Sequence, residues 1–340
     1  MTDQPLQYKA KAPMRIGFFG GGTDVSPYPE RFGGKVLNCT IDKYVRCMLR
    51  PTNRHGVLIR SLDLQTITRS VAGREWEGHL PLPQAVLNAH PEIDGVEIVM
   101  FSDVPPGSGL GSSSALVVAM LKLLDTAFGL HLDQHALARM AYRIEREDLG
   151  ISGGWQDQYA AAFGGMNVYH FGATSTIVEP VMTDPAALLE LEASLVMGFV
   201  RDRAMLTRNV VDDQVRRMNE GETLRYHHET KAFVEEAVRL LRAARIPDFG
   251  RLLHEAWEVK KAFSPHITSP EVERVYSLAR EHGAWGGKLS GAGGGGFMCF
   301  CCPFERRLEL EEALTGAGVR VRPFSFTSTG VHAWSAHAEA

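Results

Sequence analysis

The stretch PPGSGLGSSSA, residues 105–115, joins a glycine-punctuated turn to three serines at the start of an apolar segment. Gly107, Gly109 and Gly111 permit backbone conformations that other residues avoid. Residues 115–128 are largely apolar and predict a helix, so its unpaired amides and N-terminal partial charge fall at the serines. Such a turn favours an anion, and a nucleotide phosphate is the natural ligand. A glycine-rich loop with a serine helix cap is the alternative.

Composition and charge limit the classes of protein to which this chain can belong. The chain has 340 residues, of which 44% are hydrophobic and 22% charged, and its formal net charge is -4. This length predicts about two domains. The weakly acidic balance predicts neither a nucleic-acid nor a membrane partner. The N-terminal segment is polar and no stretch approaches the apolar length of a membrane span, so we expect a cytoplasmic protein.

The cysteines give little support for a metal site. Five are present, and Cys299, Cys301 and Cys302 crowd one short apolar segment. A zinc site would need a second cysteine or histidine pair at suitable spacing, which the sequence lacks. We therefore expect a buried strand there.

Strand and helix patterns interleave in both halves of the chain, without the regular alternation of a doubly wound sheet. This predicts an α+β protein of two domains, residues 1–175 and 176–340, with a cleft between them. The predicted strands are residues 14–19, 36–49, 95–102, 167–171, 297–302 and 319–326. The predicted helices are residues 115–128, 132–148, 249–263, 270–282 and 303–317.

Three short motifs match known signatures only in part. Gly291, Gly293 and Gly296 have dinucleotide-fingerprint spacing, but the next residues predict a strand where a helix is required. Residues 248–250 spell the kinase triplet Asp-Phe-Gly without the other kinase motifs. The loop at 105–115 lacks the lysine of a Walker loop, so phosphate binding there would depend on amides and hydroxyls.

Three glycine-rich elements occur in a fixed order: RIGFFGGGTD at residues 15–24, the loop at 105–115, and KLSGAGGGG at 288–296. This order resembles the GHMP family, the galacto-, homoserine, mevalonate and phosphomevalonate kinases. The resemblance implies an N-terminal domain like the second domain of ribosomal protein S5 and a ferredoxin-like C-terminal domain. It also implies that ATP, Mg²⁺ and a sugar meet in the cleft.

Further segments narrow the resemblance within the family. FGGKVLNCTIDK at residues 32–43 and GGWQDQYAAAFGGMN at 153–167 look most like the heptose 7-phosphate kinases, with the kinase domain of fucokinase a close relative. The implied reaction is ATP-dependent phosphorylation of the anomeric C1 hydroxyl of D-glycero-D-manno-heptose 7-phosphate. Its product, the 1,7-bisphosphate, would serve nucleotide-heptose and surface-polysaccharide synthesis, in capsule or lipopolysaccharide.

The resemblance makes Asp157 the catalytic base and Arg15 the cation that assists it. A carboxylate that accepts the proton of the attacking hydroxyl contributes on the order of 10²–10⁴-fold in rate. A fixed cation nearby would hold that carboxylate ionised or offset charge on the phosphoryl group. From the residues alone, Asp157 is also explained as a helix N-terminal aspartate and Arg15 as a surface charge.

The turn after the first glycine motif is the predicted sugar site. The resemblance assigns Asp24 to the sugar hydroxyls, and a turn-forming aspartate is the alternative. Galactokinases have Glu-His where this chain has Gly21 and Gly22, which predicts room for a different or larger sugar.

Glu145 and Ser113 are the implied Mg²⁺ ligands. They would hold the ion that bridges two ATP phosphates. A solvated, charged helix face is the alternative for Glu145. Ser112 is a second candidate for phosphate, and the sequence does not assign the hydroxyls individually.

The remaining predicted contacts follow from the same motifs. Nucleotide contacts are expected from Pro106, Gly107, Gly109, Leu110, Gly111, Ser112, Ser113 and Ser114. Substrate contacts are expected from Gly21, Gly22, Thr23, Asp24, Gly153, Gly154, Arg208, Gly293 and Gly294. Arg208, Lys260 and Lys261 are candidates for the phosphate of the substrate, although the segment before Arg208 departs from the Thr-Gly-x-x-Arg pattern of heptose kinases.

Other functions remain open at this level. A kinase for an unphosphorylated sugar such as fucose, mannose or galactose is the first alternative. A non-catalytic sensor of sugar and ATP is the second, and the complete set of Asp157, Glu145 and Ser113 argues against it. Acyl transfer by a serine lacks a nearby histidine partner. A homodimer is a further expectation.

Overall fold

The computed structural model describes residues 6–70, 75–201 and 206–337, and for residues 206–209 the backbone alone. Its strands build two sheets and most of its helices pack against them, so the predicted α+β class is confirmed. The strands are β1 (Leu6–Phe19), β2 (Gly34–Pro51), β3 (Val57–Ser61), β4 (Thr66–Ser70), β5 (Trp76–Glu77), β6 (Val96–Ser102), β7 (Met166–Phe171), β8 (Thr176–Pro180), β9 (Leu195–Arg201), β10 (Gly286–Leu289), β11 (Gly296–Cys301), β12 (Arg320–Val321) and β13 (His332–His337).

The helices alternate with these strands along the chain. They are α1 (Tyr28–Phe32), α2 (Pro81–Asn88), α3 (Ser112–Phe128), α4 (Gln134–Tyr142), α5 (Gln156–Phe163), α6 (Pro185–Ala193), α7 (Leu206–Asn219), α8 (Leu224–Arg242), α9 (Ile246–Lys261), α10 (Pro270–Glu281) and α11 (Arg307–Gly316). A π-helical turn, Arg143–Asp148, continues α4, and a 3₁₀ turn, Phe304–Arg306, precedes α11.

Among the described residues, the larger sheet has nine strands in the order β13-β1-β2-β6-β3-β4-β5, and β7 joins it through β2 and carries β8. In the same part of the chain, the smaller sheet has four antiparallel strands in the order β10-β11-β9-β12. The division at residues 175 and 176 stays a prediction. Two strands from beyond it belong to the larger sheet, since β8 pairs with β7 and β13 pairs with β1.

Three predicted elements differ from the structure. The strand expected at residues 319–326 is only two residues long, at Arg320–Val321. The helix expected at 132–148 changes to π geometry after Tyr142, and π turns are frequent at functional sites. Beyond residue 303 the chain forms the 3₁₀ turn before α11 begins. The predicted cysteine strand is confirmed: Cys299 and Cys301 lie buried in β11, and both are free thiols.

Helix α3 forms the centre of the core under the larger sheet. Most of its apolar side chains are buried, although Phe128 at its end is exposed, and it contacts β1, β2 and α5. Gly111, at φ +80°, precedes its first residue, and Gly129, at φ +69°, ends it, which are conformations that favour glycine. The N-terminus of α3 is therefore held by the core while the loop before it stays at the surface of a cleft.

The start of β11 docks on the loop before α3. The amide of Phe297 donates to the carbonyl of Ser108 at 2.9 Å. A Cβ at Gly296 would lie 2.4 Å from that same carbonyl oxygen, so only glycine allows the approach. This contact joins the two sheets at the edge of the cleft. No helix in the described ranges is long and apolar enough to cross a membrane.

A buried aromatic cluster joins α8 to the start of the chain. The His227 ring stacks on Phe263 with ring centroids 3.9 Å apart and on Tyr28 at 5.7 Å. Its Nδ1 lies 3.0 Å from the carbonyl oxygen of Thr223. Burial disfavours the charged imidazolium and lowers the pKa of His227 to about 4.

We predict that His227 weakens the folded state as the solution becomes acidic. An unfolded histidine titrates near pH 6.5, so between that pH and about 4 the unfolded state binds a proton that the folded state does not. The free energy of unfolding should fall with pH by up to about 1.4 kcal/mol per unit from this group. Urea unfolding of His227→Gln at pH 7 and pH 5 should show a smaller decrease than the unchanged protein. The exposed His79, changed to Gln, is the control, and equal decreases in all three proteins would refute the assignment.

Candidate active site

The loops of the two sheets enclose a cleft of about 530 Å³. All three glycine-rich motifs reach it, together with the segment before α5 and parts of α7 and α9. The lining residues are Arg15, Gly21, Gly22, Asp24, Val25, Gly107, Gly109, Gly111, Ser112, Ser113, Ser114, Glu145, Arg146, Ile151, Ser152, Gly153, Gly154, Gln156, Asp157, Val211, Gln214, Lys260, Gly291 and Ala292. The motifs are far apart in the sequence, and the fold brings them together.

Arg15 on β1 connects three of these segments. Its Nε donates to Oδ1 of Asp157 at 2.8 Å, and its Nη1 donates to the carbonyl of Gly109 at 2.5 Å and to Oγ of Ser290 at 3.1 Å. Its own amide donates to the carbonyl of Leu110 at 3.0 Å. The Arg15 side chain is buried, so the alternative of a surface charge is wrong.

Asp157 lies in the first turn of α5, where the helix dipole favours a carboxylate. Its ion pair with Arg15 spans 2.5 Å, and its side chain is 22% exposed, compared with 3% for Arg15. The carboxylate therefore has a fixed cation on its buried side and access to the cleft on the other. This arrangement is suited to accept a proton from a ligand hydroxyl.

Lys288 adds a second cation behind Arg15. Its Nζ donates to the carbonyl of Gly17 at 2.8 Å, which ties the third glycine motif to β1. Burial, and then repulsion by the Arg15 guanidinium, lowers the pKa of Lys288 to about 8. Lys288 thus supports the wall of the cleft from behind.

Asp24 lies against the start of α5 and is completely buried. Its Oδ2 accepts from the amide of Gln156 at 3.1 Å, and its Oδ1 accepts from the amide of Gly22 at 3.0 Å. A Cβ at Gly154 would lie 2.0 Å from Oδ2, which explains the glycine there. Asp24 thus positions the first turn of α5, and its contact with sugar hydroxyls stays a prediction.

Glu145 is completely buried in the π-helical turn, so the alternative of a solvated face is wrong. Its Oε2 accepts from Oγ of Ser114 at 2.7 Å and from Nε2 of Gln158 at 2.5 Å. The serine that contacts Glu145 directly is thus Ser114, whereas Ser113 is the residue predicted to hold Mg²⁺ together with Glu145. On a helix, adjacent side chains point about 100° apart, and Ser114 points towards the π turn while Ser113 is exposed at the cleft.

The second oxygen of Glu145 is incompletely satisfied. Within the described residues, Oε1 has no hydrogen-bond partner, and its nearest cation is Nη1 of Arg146 at 3.9 Å. Burial raises the pKa of Glu145, and the Arg146 charge and the Ser114 bond oppose this only in part.

The donor set beside Glu145 fits a magnesium ion. Mg²⁺ prefers oxygen ligands and is usually held by one or two carboxylates together with nucleotide phosphates and water. Glu145 supplies a buried carboxylate oxygen without a donor, and Ser112 and Ser113 supply hydroxyls in the same cleft. The described residues contain no group of three or more His, Cys, Asp or Glu side chains that could hold a metal ion.

The predicted phosphate loop lies in the cleft with two exceptions. Gly107, Gly109, Gly111 and the three serines line it. Leu110 is instead buried in the core, and Pro106 is exposed outside the cleft. The glycines and serines of this loop thus reach the cleft, and anion binding by its amides and hydroxyls stays a prediction.

The predicted substrate residues divide into two groups. Gly21, Gly22, Asp24, Gly153 and Gly154 line the cleft. Thr23, Gly293 and Gly294 do not line it. Thr23 is buried, and its hydroxyl donates to the carbonyl of Gly20 and accepts from the amide of Lys35.

In the third glycine motif, the residues that line the cleft are neighbours of the predicted pair, Gly293 and Gly294. Gly293 and Gly294 pack against Ile267, whereas Gly291 and Ala292 line the cleft. The side chain of Arg208 lies outside the described residues.

Lys260 and Lys261 of α9 are equal candidates for the substrate phosphate in the sequence, but their surroundings in the structure differ. Lys260 lines the cleft, where its Nζ donates to the carbonyl of Gly21 at 3.1 Å and to Oε1 of Gln214 at 2.9 Å. Lys261 forms ion pairs with Glu258 and Glu273 at 2.8 and 3.3 Å and does not line the cleft.

The sequence analysis missed Gln156, Gln214 and Arg146 as cleft residues. Gln156 precedes the predicted base, so its position in the motif was a usable signal. Gln214 lies on α7 and Arg146 within a run of charges, where no local pattern distinguishes a cleft residue from a surface one.

Comparison with known proteins identifies the class of this fold and site. The description "GHMP kinases N terminal domain" matches residues 82–165, and "GHMP kinases C terminal" matches residues 237–320. The chain is also 36% identical to the D-glycero-alpha-D-manno-heptose 7-phosphate kinase of Campylobacter jejuni, over 96% of this chain and 98% of that protein. The chain therefore belongs to the GHMP kinase family and is an ATP-dependent phosphotransferase with an alcohol acceptor.

Two more relatives define its neighbours within the family. The crystal structure of a D-glycero-D-manno-heptose 1-phosphate kinase from Bacteroides thetaiotaomicron has a TM-score of 0.82 and 33% identity, covering 97% of this chain and all of that one. The L-fucokinase/L-fucose-1-P guanylyltransferase of Bacteroides fragilis is 26% identical over 85% of this chain and 34% of that protein. Heptose kinases and fucokinases are thus both relatives.

We predict that Arg15 and Asp157 are energetically coupled in the protein without ligands. Removing one partner leaves a largely buried charge, so the double-mutant cycle of Arg15→Met and Asp157→Asn should give a coupling free energy of about 1 kcal/mol or more. The exposed pair Arg216 and Glu220 at 2.6 Å is the control, and its coupling should be clearly smaller because water screens exposed charges. Urea unfolding of the four proteins of each cycle measures both. Additive effects at Arg15 and Asp157 would refute the structural role of this pair.

Proposed function

We propose that this chain is an ATP- and Mg²⁺-dependent kinase that phosphorylates the anomeric hydroxyl of D-glycero-D-manno-heptose 7-phosphate. The observation on which the proposal depends is the Arg15–Asp157 ion pair in the cleft, at the junction of the three glycine motifs. The heptose specificity is supported by the similarity to the Campylobacter jejuni protein over nearly the whole chain.

The first step would be proton transfer at Asp157. The carboxylate accepts the proton of the anomeric hydroxyl as its oxygen bonds to the γ-phosphorus of ATP, and ADP leaves. Arg15 holds the carboxylate in place and offsets part of the charge that develops nearby. Asp24 acts indirectly, because it fixes the start of α5 and therefore the position of Asp157.

The nucleotide phosphates would lie over the loop before α3. Its glycine amides and the hydroxyls of Ser112 and Ser113 donate to phosphate oxygens, and the dipole of α3 favours the negative charge. Glu145 and Ser113 would hold Mg²⁺, with Ser114 orienting Glu145. The ion, when bound, neutralises charge on the phosphates.

We predict that Asp157→Asn lowers kcat for ADP release by about 10²- to 10⁴-fold with heptose 7-phosphate as acceptor. The amide keeps the size of the side chain but does not accept the proton. Asp133→Asn is the matched control, because Asp133 caps α4 at an exposed position and asparagine caps equally well. A coupled ADP assay measures both variants. If Asp157→Asn keeps the full rate, Asp157 is not the base. If the unchanged protein prefers an unphosphorylated sugar such as fucose, the proposed substrate is wrong.

We predict that Glu145→Gln raises the Mg²⁺ concentration for half-maximal rate about 10-fold or more. The substitution removes the buried charge that would hold the ion. Glu147→Gln, an exposed position in the same π turn, should change this concentration less than about 2-fold. Titration of the rate with Mg²⁺ at saturating ATP provides the measurement. An equal response of both variants would exclude Glu145 as a ligand.

A further inference from the structure

A second cavity of about 410 Å³ continues the active-site cleft. The two share the side chains or backbone of Val25, Arg146, Ile151, Ser152, Gly153 and Val211. Beyond this common wall the second cavity, here called the side cavity, extends between the segment Gly150 to Gly153 and helix α7. The proposed function places ligands in the active-site cleft only and gives the side cavity no role.

Arg146 lies in the wall common to both cavities. It comes from the π-helical turn next to Glu145, and its side chain is 11% exposed. A Cβ at Gly153 would lie 2.6 Å from its Cζ, so the guanidinium occupies the space that the glycine leaves. The backbone therefore fixes the direction of Arg146 into the wall.

The hydrogen-bonding capacity of Arg146 is mostly unused. Of its five donors, one at Nη1 reaches the carbonyl of Ile151 at 3.3 Å, near the long limit for such a bond. Its Nε is buried and has no partner among the described residues. Glu145 is 3.9 Å away, beyond hydrogen-bond length. A planar guanidinium at a cavity wall, whose Nη groups make only this one long hydrogen bond within the described residues, is suited to a phosphate or carboxylate.

The other charges of the side cavity favour Arg146 as the group that meets an anion. Arg216 also lines it, but Arg216 is already paired with Asp213 at 2.7 Å and with Glu220 at 2.6 Å. Asp212 accepts a bond from the hydroxyl of Ser152. Among the described residues that line this cavity, Arg146 is thus the basic side chain that makes no hydrogen bond to a carboxylate.

We propose that Arg146 binds the phosphate of a sugar phosphate substrate, with that phosphate in the side cavity. This inference rests on the proposed function for the class of substrate. In a heptose 7-phosphate the phosphate ends the exocyclic chain, remote from the anomeric carbon. The sugar would contact the segment Gly153 to Gly154 and present its anomeric hydroxyl to Asp157, while its far end passes the common wall to Arg146.

Two neighbouring residues of the π-helical turn then have different roles. Glu145 faces the nucleotide side, and Arg146 selects acceptors that carry a phosphate. A charge-assisted, bidentate contact of this kind changes affinity by about 10- to 100-fold. The unchanged protein should therefore bind heptose 7-phosphate more tightly than heptose by a similar factor.

The test compares the binding and the turnover of two acceptors, heptose 7-phosphate and heptose without phosphate. Calorimetry should show that Arg146→Gln binds heptose 7-phosphate about 10- to 100-fold more weakly, close to its affinity for heptose. KM for heptose 7-phosphate should rise in parallel, while KM for ATP changes less than about 2-fold. Arg146→Lys keeps the charge without the planar guanidinium and should give an intermediate loss. Arg143→Gln, with a side chain 69% exposed on the same turn, should match the unchanged protein.

The outcomes distinguish this inference from the proposed function. If Arg146→Gln and Arg146→Lys keep the preference for the phosphorylated sugar, or if KM for ATP rises instead, the inference is wrong. It is also wrong if the unchanged protein binds both sugars equally. If the unchanged protein binds heptose 7-phosphate through Arg146 without ADP release, the inference holds and the proposed function fails. Melting temperatures of all variants verify that each is folded.

Discussion

The guanidinium of Arg15 is the group on which the assembly of the site depends. It extends from β1 of the larger sheet and donates to Gly109 before α3, to Asp157 at the start of α5, and to Ser290 beside the smaller sheet. An arginine buried without such acceptors would be strongly destabilising. Folding therefore brings the three segments to one point, and the same bonds fix the carboxylate that faces the cleft. The bonds that stabilise the fold therefore also fix the geometry of the cleft at Asp157.

Glu145 shows the opposite relation, in which a residue that lines the cleft weakens the folded state. A completely buried carboxylate with an unsatisfied oxygen is rare in proteins, because burial without a partner is unfavourable. The π turn that contains Glu145 and Arg146 is itself an irregularity in a helix. Features of this kind concentrate at functional sites, where a ligand supplies the missing partner. Both residues of the turn fit that description.

The predictable parts of this protein are those with local signals. The glycine loop has strong turn chemistry and α3 has a long apolar run, so this loop and the helix that follows it are predictable from the sequence. The pairing of Glu145 with Ser114 depends on the register of a π turn, which leaves no mark in the sequence. The return of β13 to β1 depends on contacts more than 300 residues apart, so it lies outside local reasoning. The place of Arg146 in the cleft is not predictable from the sequence, because the charged residues beside it resemble the solvated face of a helix.

The central claim is that the pair of Arg15 and Asp157 receives the acceptor hydroxyl while the loop before α3 receives the nucleotide. A crystal structure with a non-hydrolysable ATP analogue, Mg²⁺ and heptose 7-phosphate tests it most directly. The account predicts the anomeric oxygen within about 3.2 Å of the Asp157 carboxylate, with the γ-phosphate over Ser112 and Ser113. A nucleotide bound away from that loop, or a sugar whose anomeric oxygen lies remote from Asp157, would contradict it.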